Sequence, residues 1–338
     1  MHLPGLRSYP LELPDATEWR LIVVMDINRA AKKVDGWQQG FAPAAFAFAV
    51  IKKYGEDNGG YQAALLTYYG FLSLFPLLLV MVTLLQLWFR GEPVVKNDVI
   101  GSVGHFFPLL GSQLETQIHG MRQAGVGLVI GLLITIYGAR GAADAFRFGV
   151  DNMWQIPKNK RAGFPKNILH SLAIMAAGLA GFAATIAATG FTAALGHTWW
   201  AKGLANISGF VILTFVLGYA FRIATLGRIR YRYMLLGASI AAFIVQVLLS
   251  FGGVVLAHEL KKLDSFYGTF AVVLGMLFWL YMIAQVVVFA AEIDTVRHFG
   301  LWPRSSSGRL QTKADRQAYN LYAQTEKYIE KEHIGVHF

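Results

Sequence analysis

The chain has 338 residues, 55% of them hydrophobic and only 15% charged, with a formal net charge of +10 and no cysteine. A soluble protein of this size carries more polar surface than that, so the composition places the chain among polytopic membrane proteins of all-α class. Without cysteine there is no disulfide, no thiolate metal site and no cysteine nucleophile, and the redox compartment stays open.

Residues 1–62 are expected to form a cytoplasmic N-terminal region. A helix-like pattern runs from Thr17 through Arg29, Lys32 and Lys33. After a break at Trp37 to Gly40, Phe41 to Tyr54 sets Phe46, Phe48, Val50 and Ile51 beside Lys52 and Lys53. That pattern fits an amphipathic helix lying in the headgroup region, with packing on cytoplasmic loops as the alternative. No secretory signal is expected, because Leu21 to Met25 is an apolar run of only five residues. Glu56 to Gly60 reads as the turn into the membrane.

Residues 63–293 then hold six apolar stretches, about 64–89, 125–145, 169–195, 204–223, 233–257 and 267–291. Each reaches the roughly 20 residues that a helix rising about 1.5 Å per residue needs to cross the hydrocarbon. Pro76, midway along the first, lacks an amide and should kink that helix. The first outer loop, Arg90 to Gln123, predicts two short surface helices, one over Val99 to Phe107 and one over Leu114 to Met121. Trp199 and Trp200 fit an interfacial aromatic belt. Small residues crowd the third stretch from Ala173 to Gly190, which suits a helix at the centre of a bundle. Residues 294–338 form a polar cytoplasmic tail, in which Asp315 to Glu332 alternates charges like an exposed helix.

Lys and Arg number seven, three, six, one, four, two and seven in the segments before, between and after the six stretches, so alternate segments hold 24 of the 30. Positive residues stay on the cytoplasmic side, which puts both termini in the cytoplasm and three hairpins across the membrane. The basic excess is thereby explained by topology and by anionic lipid headgroups as partners, with no nucleic acid required.

Enzyme constellations are missing. The nine histidines are scattered, no Walker loop is present, and Gly125, Gly127 and Gly131 miss the dinucleotide spacing. Carboxylates are too spread for a two-metal nuclease. No catalytic residue, metal or cofactor is therefore expected. Ionisable groups at membrane depth are more informative, since an unpaired charge there costs at least about 2.5–3.5 kcal/mol. Arg140, Asp144 and Arg147, at i, i+4 and i+7, share one helix face, where Asp144 can pair with either arginine. Two readings stand: a polar mouth that binds headgroups or gates a path, or a helix simply emerging into water. Arg222 closes the fourth stretch ahead of Arg228, Arg230 and Arg232, a basic loop able to grip phosphates. Glu292 is deeper than Asp294 at the end of the sixth stretch and is expected to pair with a loop arginine, with proton coupling as the alternative.

Tyr61 to Leu85, YQAALLTYYGFLSLFPLLLVMVTLL, resembles the first-span signature of the YihY/BrkB family of bacterial inner-membrane proteins. Tyr267 to Asp294, with Trp279, Tyr281 and Glu292, resembles that family's last span, and Gly237 to Ser239 fits the opening of its fifth. The resemblance covers the whole membrane region. It implies a six-helix protein linked to envelope integrity and points to lipid or solute transport; it brings an old ribonuclease label too, but no catalytic residues to carry over. The expected function is binding or transport of an anionic, lipid-like substrate. The alternatives are ion or proton exchange centred on Glu292 and Asp144, a membrane-bound ribonuclease, and a non-catalytic envelope-assembly scaffold that docks through the tail. Whether the chain forms a homo-oligomer is left open.

Overall fold

The computed structural model describes residues 33, 35–88, 125–194, 199–249, 269–306 and 312–337, and every regular element among them is helical. In chain order these are α1 (Ala42–Glu56), α2 (Gly59–Trp88), α3 (Gly125–Met153), α4 (Lys166–Ala194), α5 (Trp199–Ala224), α6 (Leu235–Leu249), α7 (Thr269–Phe299) and α8 (Lys313–Thr325). The surface helices expected in the first outer loop lie outside the described residues, as does the end of the fifth apolar stretch.

Local chemistry sets the helix ends. Pro43 falls in the first turn of α1, where its missing amide costs nothing. Thr312 and Asp315 form a capping box at the start of α8, each side chain receiving the other's backbone amide. Gly300, at φ +63°, stops α7 in the left-handed conformation. The helices outrun the apolar stretches because backbone hydrogen bonding does not end where hydropathy does. Accordingly α3 continues through Arg140, Asp144 and Arg147 to Met153, and α7 passes Glu292.

α5 over Gly203–Ala224 and α7 over Val273–Phe299 are long and apolar enough to cross a bilayer. Leu133, Ile136, Leu172, Leu179, Ile207, Phe215, Phe243 and Phe278 are exposed on the outside of the helices. In water each would forgo about 1.5–3 kcal/mol of burial, whereas lipid tails impose no such loss. This is the surface of a membrane protein.

The core forms around α7. Ala284, Val288, Ala290 and Ala291 meet Ala63 of α2, Val150 and Met153 of α3, Phe221 of α5, and Ala238 and Ala241 of α6, with Trp154 filling the end of the cluster. α4, by contrast, lies at the edge. Ala173, Ala176, Gly178 and Ala180 are exposed, and the helix packs on α5, where Gly181 sits against Val216. Gly181 marks a close contact with α5, and Ser171 ties α4 to Asp144 of α3, so the described part of this helix lies at the edge rather than at the bundle centre expected from its small residues.

α1 is held by protein on one side: Ala49 and Val50 pack with Val296 and Leu301 beyond the α7 core and with Ala318 of α8. Its opposite side leaves Phe41 and Ile51 exposed. A soluble-type core for the N-terminal helix therefore exists, built from the end of α7 and from α8. Contacts gather four segments at this end of the bundle. Lys52 reaches Asp315 at 2.9 Å, Gln155 reaches Asp57 at 2.9 Å, the Asn159 amide donates to the Lys327 carbonyl at 3.0 Å, and the Tyr233 ring lies 4.6 Å from His298. These segments are the N-terminal region, the α3–α4 loop, the α5–α6 loop and the tail, the four richest in Lys and Arg.

Candidate functional site

The sequence candidates fall in three places. The first lies between α2 and α3. These helices approach so closely at Gly141 that a Cβ there would overlap the Tyr69 ring. Beside this contact opens a cleft of about 420 Å³ lined by Leu65, Tyr69, Tyr137, Arg140, Asp144 and Phe148. Arg140 Nε lies 3.6 Å from one Asp144 oxygen and Arg147 Nη2 lies 3.7 Å from the other. Ser171 of α4 also donates to Asp144, at 2.5 Å, and Arg147 continues the chain of charges to Asp151 at 3.7 Å. Asp144 thus pairs with both arginines. The Arg140 pair is long and half exposed, a geometry worth about 0–1 kcal/mol, so an incoming anion displaces little.

The second place is a cleft of about 520 Å³ between α4 and α5, lined by Leu169, His170, Ala173, Tyr219, Arg222 and Ile223. Its walls are aliphatic and aromatic apart from Arg222 and His170. Tyr219 and Leu169 are exposed at its rim, so the cleft opens outward. His170 contributes an Nδ1 contact of 2.7 Å to the Lys166 carbonyl. Pro76 is inside α2.

Glu292 is in the third place, and its partner is not a loop arginine. Lys53 of α1 donates to Glu292 at 2.8 Å, to the Met153 carbonyl at 2.8 Å, and to Asp57 one turn on. A helix passing the outside of the bundle supplies the cation because its buried side, Ala45, Ala49 and Val50, carries Lys53 in register with them. For Lys53, burial acts to lower the ammonium's proton affinity, but Glu292 and Asp57 outweigh it and raise the net value. Asp57 in turn accepts from Gln155, which accepts from Thr325 of α8 at 2.7 Å. Asp294, one turn's edge away, takes the Gly237 amide at 2.7 Å.

A second ionic cluster fastens the tail. Asp315 accepts from Arg304 at 2.5 Å, Lys52 at 2.9 Å and the Ser305 amide at 3.0 Å. Burial alone would push its carboxyl up; the hydrogen bonds from Arg304, the Ser305 and Thr312 amides and Lys52 win, and hold it well below the usual carboxylate range. Arg304 also grips Glu56 at 2.9 Å, and Tyr322 donates to the same carboxylate at 2.6 Å.

Lys53, Asp57, Gln155, Arg304 and Asp315 were not among the sequence candidates. Lys53 had a readable sign, a lysine at i+4 from Ala49 on an apolar stripe; the others had none, because their partners are distant in sequence. Among the described residues no group of three or more His, Cys, Asp or Glu is placed to hold a metal ion.

No solved structure matches the chain at a significant level. Residues 50–309, which run from the middle of α1 through all of α7, match the family described as Virulence factor BrkB. The match takes in every helix that builds the three sites, except α8, and on that extent the chain belongs to the BrkB family.

Proposed function

We propose that this protein binds an anionic, lipid-like amphipath in the two outward-opening clefts and passes it between leaflets or across the bacterial inner membrane. The observation that carries this reading is the placement of Arg140. Its guanidinium lines an apolar and aromatic cleft, and its ion pair with Asp144 is long, at 3.6 Å, and half exposed, so a phosphate can displace it at little cost. Arg222 likewise lines the α4–α5 cleft. Apolar walls suit acyl chains, and one arginine per cleft suits one anionic head. Both termini then lie in the cytoplasm, a reading supported by the meeting of the four basic segments at one end of the bundle.

The test is direct binding of a fluorescent anionic phospholipid to the purified protein in detergent. A charge-assisted hydrogen bond is worth about 1.5–3 kcal/mol, so Arg140→Ala and Arg222→Ala are each expected to weaken binding by about 10- to 100-fold while a zwitterionic lipid is affected far less. Unchanged affinity in the double variant refutes the proposal.

A further inference from the structure

Around Lys53 the charges do not balance. Among the described residues, the ion pairs of Asp57 and Glu292 both run to this one ammonium. The side chains of Lys53 and Glu292 are 0% exposed and that of Asp57 is 6% exposed. With both carboxylates ionised, the cluster holds a net negative charge out of reach of water, where an uncompensated charge costs several kcal/mol.

Hydrogen bonding is incomplete in the same place. Glu292 Oε1 is buried and has no donor. The Asp57 carboxyl stands within hydrogen-bonding reach of Glu292, while its own oxygens already accept from Lys53 and from Gln155 Nε2, at 2.9 and 3.1 Å for the latter. A hydrogen on either carboxyl, directed at the other, removes the orphan and the surplus charge together. Burial also pushes the Asp57 carboxyl up, more than the nearby Lys53 lowers it.

The remaining ionisable neighbours leave the count unchanged. Tyr54 of α1 donates its hydroxyl to Gln285 of α7 and lies near Tyr281, while Tyr322 of α8 donates to Glu56. Tyrosines are uncharged near neutral pH, and Glu56 is matched by Arg304 at 2.9 Å. From α3 only the neutral Met153 carbonyl reaches the cluster, with Gln155 just beyond that helix.

We propose that Asp57, Glu292 and Lys53 form a proton-binding site that keeps one proton between the two carboxylates in the resting protein. Uptake converts one carboxylate to a carboxylic acid whose O–H donates to the other; no other bond changes, and the pair titrates as a unit. Because α1, α3, α7 and the neighbouring α8 meet here, any rearrangement that withdraws Lys53 or admits water changes the affinity for that proton. The site is independent of the lipid reading and stands whether or not the clefts hold an amphipath.

The experiment is infrared spectroscopy of the purified full-length chain near neutral pH, in ordinary and heavy water. The expected result is a deuterium-sensitive carbonyl stretch of a protonated carboxyl, part of which is lost in Glu292→Gln and equally in Asp57→Asn. Each variant leaves one carboxylate against one ammonium and so needs no proton. Should Glu292→Gln fail to fold, Asp57→Asn reads the same component. Absence of any protonated-carboxyl band in the parent chain overturns the proposal, and so does full retention of the band in a folded variant.

Discussion

The ammonium of Lys53 lies 2.8 Å from the carboxylate of Glu292, with neither side chain exposed, across a separation of 239 residues in sequence. This contact joins the helix before the membrane domain to its last long helix. Removing one member of a buried pair leaves the other uncompensated, at a cost of about 3–5 kcal/mol. Lys53→Met is expected to show a loss of that order in mixed-micelle unfolding titrations, whereas Glu292→Gln, which leaves Asp57 to Lys53, loses markedly less. Equal losses would contradict this account of the charges.

Gly237 provides a second test of packing. A Cβ at this position would overlap the Ala290 carbonyl and the Asp294 carboxylate, and its amide already donates to Asp294 at 2.7 Å. The Ala290 carbonyl is backbone inside α7 and has little room to yield. Gly237→Ala is expected to destabilise the protein by about 1–3 kcal/mol in the same titration, the usual range for overpacking.

Docking of α8 should depend on acid. The folded Asp315 carboxyl, held low by Arg304, the Ser305 and Thr312 amides and Lys52 against the opposing effect of burial, binds its proton less tightly than in the unfolded chain. Its contribution is therefore fully present above the ordinary aspartate value of about 4 and is lost as pH falls below it toward the folded value. Hydrogen exchange in residues 313–325 should stay slow from neutrality down to about that point and then rise. Asp315→Asn is expected to raise exchange at neutral pH and flatten the step; an undiminished step in this variant would assign it to another group.

Part of the membrane architecture was legible because it rests on period and spacing. The apolar stretches at 204–223 and 267–291 correspond to α5 and α7, and i, i+4, i+7 spacing placed Arg140, Asp144 and Arg147 on one face, as the two ion pairs of Asp144 bear out. Direction was not legible. The small residues of α4 announced close packing, but nothing in them says which neighbour is close or that Ala173, Ala176, Gly178, Ala180 and Ala184 are exposed. Nor could spacing pair Glu292 with Lys53 rather than an arginine, because the choice depends on how α1 folds back. The tail was expected to be exposed, and its alternating charges hid the Thr312–Asp315 capping box and the buried Arg304 that tie it down.

Topology can be checked without background, since the chain has no cysteine. Gly36, Lys160, Arg230 and Lys331 are exposed and lie in the four basic segments. Cysteines at these positions should all react with an impermeant reagent from the cytoplasmic side. Trp199 begins a 26-residue helix, about 39 Å long at 1.5 Å per residue, whose other end joins those segments. Trp199→Cys should label from the opposite side.

Transport itself is measured most directly in sealed vesicles containing the purified protein and a trace of fluorescent anionic lipid, by following the fraction open to a membrane-impermeant quencher. The account predicts that the protected inner-leaflet fraction becomes accessible in protein-containing vesicles and that Arg140→Ala with Arg222→Ala slows this by at least about tenfold, the effect of one lost charge-assisted contact. Vesicles in which the protected fraction is unchanged by the parent protein, with no export of the lipid to acceptor vesicles, would contradict it.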